Sequence, residues 1–315
     1  MNERSCGDMK NRYFAIAGAI FLVICLGVFL TGAIQDLIQN NETSLQPENL
    51  LEYESSGTPL SADLPGCLQV VFLDVGQADA ALITLDGHAM LVDGGNRDDS
   101  SLIYSVLRAR GIEHLDYVIG SHPDEDHIGG LPGAFEIASV GRVFCSVDTH
   151  DTKTFQNFKK AVEGQGLSIE VPEKGQTLSF GGAKLTFIQL GIDYGNTNDN
   201  SLVVRLVYGE TSFLFAGDIG VDAEAGLVES GAVLKSTVLK VPHHGSKYSS
   251  SSGFLSAVDP EIAIICVGKD NDYYYPHESA LARYRDQGAR VYRTDLQGDI
   301  TVLSDGKRVE VVTQK

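Results

Sequence analysis

The run Ser121-His122-Pro123-Asp124-Glu125-Asp126-His127 constrains the fold of this chain more than any other part of its sequence. It directly follows the apolar stretch LDYVIG at residues 115–120, which is typical of a buried strand, and it precedes a Gly-Gly pair. A loop at a strand end can turn His122 and Asp124 toward one point and Asp126 and His127 toward a neighbouring point. Because imidazole and carboxylate ligands together suit Zn²⁺ or Mn²⁺, the run predicts a metal site at the end of a strand.

Short apolar runs alternate with Gly and Asp turns from Cys67 onward. Three of these runs, at residues 69–75, 80–85 and 88–92, predict a β-meander. Helical spacing of apolar residues predicts helices at 101–110, 154–163, 222–229 and 278–287. Further strands are predicted at 115–120, 185–189, 202–208, 212–216, 238–241, 262–267, 291–293, 300–303 and 309–312. Interleaved strands and helices indicate an α/β fold in which two sheets are covered by helices.

An uncharged apolar segment at residues 13–34 is long enough to cross a bilayer as one helix. Basic residues precede it and acidic residues follow it, which predicts a cytoplasmic N-terminus at 1–12 and an extracytoplasmic remainder. We expect an uncleaved membrane anchor, although the small residues at 31–33 leave cleavage by a signal peptidase open. Residues 35–66 have the polar composition of a linker, and residues 67–315 are expected to form the folded domain.

The overall charge argues against nucleic acid as a tightly bound partner. With 42 acidic and 24 basic residues, the formal net charge is −18, which disfavours tight and non-specific binding of polynucleotides. Carboxylates gathered at a metal site would account for part of this acidity, and a net charge conceals local basic patches, so nucleic acid stays open. The five cysteines form no C-x-x-C pair, and we expect them to be small buried apolar residues.

Two later segments supply further candidate ligands. Asp218 follows the apolar run SFLFAG, where an unpaired carboxylate would be costly without a cation or hydrogen bonds. His243 and His244 follow the strand predicted at 238–241. Because alternate side chains of an extended segment diverge, one of this pair is expected to be a ligand, and the sequence leaves open which one.

The segment HPDEDH resembles the H-x-[HD]-x-D-H signature of the metallo-β-lactamase superfamily. The chain from about Leu68 onward is similar to the hydrolase domain of ComEC-type DNA-uptake proteins and their stand-alone relatives. The segments that carry the resemblance, in family order, are FLDVGQADA at 72–80, LVDGG at 91–95, NDNSLVVRL at 198–206, FAGD at 215–218, LKVPHHGS at 239–246 and RVYRTDLQGDITVLSDG at 290–306.

This resemblance implies an αββα sandwich with a dinuclear site at its rim. By analogy, His122 and Asp124 would bind one metal ion, Asp126 and His127 would bind the other, and Asp218 would bridge them.

Four other positions, His277, Asp93, Asp74 and Asp79, are further candidates for the site. His277 matches the last histidine of the family's H-P-H segment and is predicted to be a ligand, whereas Tyr275 replaces the first histidine. Asp93 in LVDGG is expected to orient a ligand from behind. Asp74 and Asp79 flank the turn at Gly76, and either could serve that turn or reach the site. His88, His114 and His150 match no motif.

The expected activity is hydrolysis by a water molecule that two divalent ions, Zn²⁺ or Mn²⁺, activate to hydroxide, with Asp126 and Asp218 as the catalytic carboxylates. Asp124 makes one site richer in oxygen, which favours Mn²⁺ without excluding Zn²⁺. A phosphodiester such as DNA is the expected substrate, and a small or envelope-bound phosphoester such as choline phosphate is the alternative. A non-catalytic metal-binding module is a third interpretation. Any role in DNA uptake would require a separate membrane channel, and the oligomeric state stays open.

Overall fold

The computed structural model describes residues 60–61, 65–189 and 191–315. The predicted cytoplasmic segment 1–12, the anchor 13–34, nearly all of the linker 35–66, Cys6 and Cys25 lie outside these residues. Within the described part of the chain, no helix combines the length and the hydropathy that crossing a membrane requires.

The first sheet contains eight strands from both ends of the domain. They are β1 (Leu68–Phe72), β2 (Ala80–Leu85), β3 (His88–Gly94), β4 (His114–Gly120), β5 (Ser139–Cys145), β6 (Ile169–Glu170), β14 (Ile300–Ser304) and β15 (Val309–Thr313). Their order is β15-β14-β1-β2-β3-β4-β5-β6. Strands β1 to β3 form the predicted antiparallel meander, and β3 to β6 pair in parallel.

The second sheet contains the seven strands of the middle of the chain. They are β7 (Thr177–Phe180), β8 (Ala183–Phe187), β9 (Val204–Tyr208), β10 (Thr211–Phe215), β11 (Val238–Lys240), β12 (Ile262–Ile265) and β13 (Arg290–Arg293). Their order is the reverse of their order in the chain. Strands β7 to β10 are antiparallel, whereas β10 to β13 are parallel, so the carboxyl ends of β10, β11 and β12 meet at one edge.

Helices cover the outer face of each sheet. They are α1 (Ser100–Ala109), α2 (Glu125–Ile128), α3 (Pro132–Ile137), α4 (Lys153–Gly164), α5 (Val221–Glu229), α6 (Ser252–Val258), α7 (Glu278–Gln287) and α8 (Thr294–Gln297). The four predicted helices appear as α1, α4, α5 and α7, with ends within one residue of the prediction.

The core divides into layers because alternate residues of a strand point to opposite faces. Val70 and Phe72 of β1 pack between the two sheets, where they join Phe213 of β10. Val71 of β1 points the other way and packs with α1 and α4. On the second sheet, Leu214 faces the layer of α5, α6 and α7. The order of layers is therefore helix, sheet, sheet, helix, which confirms the αββα sandwich.

Several elements were not predicted. Strands β5, β6 and β7 and the short helices α2, α3, α6 and α8 are absent from the sequence-based assignment. Strand β9 begins at Val204 rather than at the predicted residue 202. The reason is that the Leu202 N–H donates to the Ser121 carbonyl at 2.7 Å, which ties this segment to the candidate metal loop rather than to a neighbouring strand.

Candidate metal centre

The predicted ligands lie where strands of the two sheets end. His122 and Asp124 belong to the loop that follows β4, and Asp126 and His127 lie on the one-turn helix α2 that continues it. Asp218 follows β10 across the gap between the sheets. The Gly217 backbone has a φ of 54°, and a Cβ built on it would lie 2.7 Å from the Ser201 Cβ, so this close approach requires glycine.

Four side chains form a compact cluster at this rim. The ligand atoms of Asp126, His127, Asp218 and His244 all lie within 4.8 Å of one another. His127 Nε2 is 3.4 Å from Asp218 Oδ1, and His244 Nε2 is 3.5 Å from Asp218 Oδ2. The same His244 atom is 3.3 Å from Asp126 Oδ2, and His127 Nε2 is 3.8 Å from that oxygen. Four ligands placed tetrahedrally about 2.0 Å from an ion lie about 3.3 Å apart, so these separations fit one bound Zn²⁺-sized cation.

The hydrogen bonding of the cluster supports the same conclusion. His122 Nε2, His127 Nε2, His244 Nε2 and Asp218 Oδ1 are buried atoms without a hydrogen-bond partner among the described residues. Buried polar atoms are normally paired, because leaving one unpaired costs about 1–3 kcal/mol. Unpaired atoms that converge on one point are the arrangement that a cation would satisfy, so these residues fit a metal ion.

The electrostatics point the same way. Burial disfavours the charged form of His127, yet the carboxylates of Asp218 and Asp93 hold its pKa well above the ordinary value. His244 has a pKa of about 10, since Asp218 and Asp79 outweigh its burial. In turn, these two imidazoles outweigh burial at Asp218 and hold the pKa of that carboxyl well below the ordinary value. A site that binds protons this strongly attracts cations, and metal binding would release the protons.

His122 and Asp124 define a looser second position. His122 Nε2 lies 3.7 Å from Asp124 Oδ2, and the His122 ring centroid is 4.1 Å from that of His127. Burial dominates at His122 and lowers its pKa to about 3, so this imidazole is neutral and able to act as a ligand. The Asp124 side chain is 38% exposed and accepts a hydrogen bond from the Thr197 hydroxyl at 3.2 Å. This position is more open than the four-residue cluster.

The structure distinguishes His243 from His244. Both have a φ of 51°, so the segment is not extended as the sequence argument assumed, and both side chains approach Asp218. His244 is buried, and its Nδ1 is 2.9 Å from the Cys266 carbonyl, which directs Nε2 into the cluster. The His243 side chain is 25% exposed, and its Nε2 lies 3.9 Å from Asp218 Oδ2 and 3.3 Å from the Tyr275 hydroxyl. His244 thus joins the cluster, and His243 lines its mouth.

Asp93 and Asp79 lie behind the cluster. Asp93 accepts the Ser121 N–H at 2.7 Å with one oxygen, and its other oxygen is 3.1 Å from His127 Nδ1. Asp79 Oδ1 is 3.3 Å from His244 Nδ1 but forms no hydrogen bond with it, since that nitrogen is bonded to the Cys266 carbonyl. Carboxylates that bond the far nitrogen of a ligand imidazole orient its ring, which is the arrangement predicted for Asp93. The sequence left open whether Asp79 serves the turn at Gly76 or reaches the site, and the structure places its side chain at the site.

Lys240 is a part of the site that the sequence analysis missed. It ends β11, is 4% exposed, and forms an ion pair with Asp79. Its Nζ also donates to the Val241 carbonyl at 2.9 Å. Asp79, Asp93 and His127 form a second group of close ligand atoms, but the ammonium group of Lys240 already supplies a cation to it. The available signal was a lysine inside the apolar run STVLKV, because lysine is rarely buried without a charged partner.

Other predicted residues stand apart from the cluster. His277 precedes α7, and its Nδ1 accepts the Lys247 N–H at 3.2 Å. It belongs to neither of the two groups of close ligand atoms. The Asp74 carboxylate pairs instead with Lys315 at 3.5 Å. The histidines without a motif, His88, His114 and His150, bond to neighbours outside the cluster. Cys67, Cys145 and Cys266 are buried and free, as predicted for these three cysteines.

Replacing Asp93 with Asn should lower the affinity for a divalent ion about 10- to 100-fold, because the amide would hold the His127 ring less firmly. Competition with a chromophoric chelator measures this affinity. Asp74→Asn, which alters a carboxylate outside the cluster in the same part of the domain, is the control and should leave the affinity unchanged. Equal affinities of the Asp93 variant and the wild type would contradict an orienting role for Asp93.

Comparison with known proteins agrees with this geometry. Residues 73–269 match the model of the metallo-beta-lactamase superfamily. The chain is 28% identical over 251 residues to ComE operon protein 3 of Bacillus subtilis, covering 74% of this chain and 32% of that protein. It is 32% identical over 233 residues to competence protein ComA of Neisseria gonorrhoeae, covering 73% of this chain and 31% of that protein. It therefore spans about a third of the length of these curated relatives.

A solved structure shows the same fold. The metallo-beta-lactamase fold protein YhfI from Bacillus subtilis superimposes with a TM-score of 0.52 at 15% identity, covering 75% of this chain and 99% of that one. The match of the family model extends from the end of β1 to the loop after β12, and so includes every strand end that carries a clustered side chain. On this evidence, the chain belongs to the metallo-beta-lactamase superfamily.

Proposed function

We propose that this protein hydrolyses phosphodiester bonds with divalent ions held at the rim of the sandwich. The observation that carries the proposal is the convergence of unpaired buried ligand atoms from His127, His244 and Asp218 at separations that fit a cation. The choice of substrate rests on the relatives, one of which is named a competence protein, and on the similarity to the hydrolase domain of ComEC-type DNA-uptake proteins.

Asp126, His127, Asp218 and His244 would hold the first ion, and His122 and Asp124 would hold a second. Zn²⁺ or Mn²⁺ bound there lowers the pKa of water toward neutrality and offsets negative charge on a phosphoryl group. Asp218 would contribute to the first ion, because its Oδ1 faces His127 and its Oδ2 faces His244. A bridging role toward the second ion would follow from the family resemblance.

Asp126, which would also hold the first ion, and the residues at the mouth of the cluster act on the substrate side. The Asp126 side chain is 34% exposed, unlike the buried Asp218, so it is accessible to an attacking water and able to accept its proton. The Tyr275 hydroxyl and the His243 ring, 3.3 Å apart at the mouth, are placed to donate hydrogen bonds to phosphoryl oxygens. Asp93 would keep the His127 imidazole in orientation through Nδ1, and the Cys266 carbonyl would do so for His244.

The test is metal analysis and a substrate panel on the full-length protein. The panel contains bis(p-nitrophenyl) phosphate, single- and double-stranded DNA, RNA and p-nitrophenylphosphorylcholine. We expect Mn²⁺- or Zn²⁺-dependent cleavage of a phosphodiester, and loss of both metal and activity in His127→Ala. His150→Ala, at a partly exposed position bonded to Thr152 and away from the cluster, is the matched control and should behave as the wild type. Unchanged activity in His127→Ala would overturn the proposal.

The same panel separates the alternatives. A nuclease should lose substrate affinity steeply as salt rises, because phosphate contacts release counterions. Turnover of the choline ester alone would favour a small or envelope-bound phosphoester, which a chain of net charge −18 tolerates well. Metal binding without turnover of any substrate would favour a non-catalytic module.

We also propose that the segment 13–34 anchors the protein and places this domain outside the cytoplasm, as the flanking charges predict. A role in DNA uptake would then require a separate membrane channel as partner. Protease accessibility of the domain in intact cells tests this topology.

A further inference from the structure

The loop between β12 and α7 presents aromatic side chains beside the candidate metal centre. Tyr273 is 61% exposed and Tyr274 is 85% exposed, which is unusual for large side chains with apolar rings. Tyr275, the next residue, is only partly exposed and contacts His243. Neither Tyr273 nor Tyr274 has a role in the site described above.

The rings of Tyr275 and Tyr273 lie nearly parallel, one after the other, to the ring of the buried His244. The Tyr275 ring lies 6.3 Å from the His244 ring at an interplanar angle of 24°. The Tyr273 ring lies 5.4 Å from the Tyr275 ring at 16°. His244, Tyr275 and Tyr273 therefore form a series of nearly parallel rings that leads from the metal cluster to the surface. We call this series the aromatic stack.

The loop that carries the stack is held in shape by Asn271. The side-chain oxygen of Asn271, Oδ1, accepts hydrogen bonds from the Tyr273 N–H at 3.2 Å and the Tyr275 N–H at 2.9 Å. Its amide group donates to the Gly268 carbonyl at 2.9 Å and to the Tyr275 carbonyl at 2.7 Å. An ordered loop loses little conformational entropy when a ligand binds, so the stack is preorganised.

A positive charge lies on the adjacent segment. The Lys247 N–H donates to His277 Nδ1, and the His277 ring lies 5.2 Å from the Tyr275 ring, so this segment borders the stack. The Lys247 ammonium group is 5.0 Å from the centre of the Tyr248 ring, which is itself 66% exposed. Aromatic faces next to a cation near the reacting centre match a ligand with flat rings joined by phosphates.

We propose that Tyr273 is a substrate-positioning residue that stacks on an unpaired nucleobase close to the scissile phosphodiester. This inference rests on the proposed function and deepens it, because it makes the site select single strands or frayed ends over intact duplex. A base inside a duplex is already stacked on its neighbours, whereas an unpaired base offers an open face. The parallel rings present one flat face, while recognition of a quaternary ammonium group such as choline uses several rings around a cage.

The experiment compares two strands on the full-length protein. One is an oligothymidylate of about ten nucleotides, and the other is a strand of equal length built from abasic units. Both carry the same phosphodiesters and charge, but only the first has bases. Equilibrium binding is measured by fluorescence anisotropy on chelator-treated protein, and KM and kcat are measured on Mn²⁺-loaded protein.

We expect Tyr273→Ala to raise both Kd and KM for the thymidylate roughly five- to a hundred-fold, since stacking contributes about 1–3 kcal/mol per base. Neither value should change for the abasic strand. Tyr274→Ala, in the same loop and outside the stack, should leave both strands unaffected. Tyr275→Phe keeps the ring but removes the hydroxyl proposed to contact phosphoryl oxygens, so any loss of binding should be equal for the two strands.

The inference would be overturned by equal effects of Tyr273→Ala on the two strands. It would also be overturned if the wild type bound duplex as tightly as single strands, or if choline phosphate displaced the thymidylate. Absence of thymidylate binding by the wild type would overturn it as well. If the wild type binds the thymidylate through Tyr273 but cleaves nothing, the proposed function fails and the base-stacking site stands.

Discussion

His244→Ala should lose affinity for the first divalent ion by more than about 100-fold, whereas His243→Ala should keep it. Loss of a residue that merely orients a ligand already costs about 10- to 100-fold, and loss of the ligand itself costs more. His244 qualifies as the ligand because its buried Nε2 faces both Asp126 and Asp218. His243 is partly exposed, and its nearest carboxylate oxygen is 3.9 Å away.

These two variants are matched in backbone as well as in chemistry. Both histidines have a φ of 51°, so alanine carries the same conformational strain at either position. Metal content after dialysis and competition with a chelator measure the ion, while cleavage of bis(p-nitrophenyl) phosphate measures turnover. His243→Ala should reduce turnover without releasing the ion, since that ring lines the mouth. Equal metal loss in the two variants would show that the cluster is assigned wrongly.

Lys240→Met should lower the free energy of unfolding by about 3–5 kcal/mol, the cost of leaving one member of a buried ion pair without its partner. Asp79 is 3% exposed and Lys240 is 4% exposed, so water cannot replace the lost ammonium group. Urea unfolding with excess chelator measures the change, because a bound ion would otherwise stabilise the folded state.

The double variant Lys240→Met/Asp79→Leu separates stability from metal binding. It removes both charges and should recover at least about half of the lost stability, since apolar replacement of a buried pair is often neutral. The ion affinity of the double variant should be lower than that of the wild type, because Asp79 also lies 3.3 Å from His244 Nδ1. Lys235→Met, which breaks an exposed pair with Asp259, is the control and should unfold as the wild type does. A Lys240→Met variant as stable as the wild type would refute the buried pair.

The sequence predicted most of the sandwich because strand and helix signals are local. The run AALITL became β2 with its predicted ends, and residues 278–287 became α7 without a shift. The predictions failed where tertiary contacts decide. Residues 202–203 have a strand-like sequence, but Leu202 bonds to Ser121 instead of to a neighbouring strand. Strand β6 has two residues, too few for any periodic signal.

The same distinction holds for the candidate site: local sequence identified some of its residues, and tertiary contacts alone brought in the others. The segment from His122 to His127 was recognisable because its ligand types are close together in the chain and follow a strand. Lys240 was missed because its partner, Asp79, is 161 positions away, and only the packing of the two sheets brings them together. The placement of Asp79 at the site and Asp74 at the surface also depends on the path of the loop after β1.

By itself, the sequence determined the layered α/β architecture and the segment of metal ligands, since periodicity and ligand spacing are properties of neighbouring residues. It also identified Asp218 as a candidate ligand and Asp93 as a candidate for orienting one. The tertiary structure decided which histidine of the pair faces the cluster and which buried cation balances its carboxylates. It also decided that Tyr273 and Tyr275 stack beside that cluster. Each of these outcomes depends on backbone direction at the end of a strand, and elements distant in the chain set that direction by packing against it.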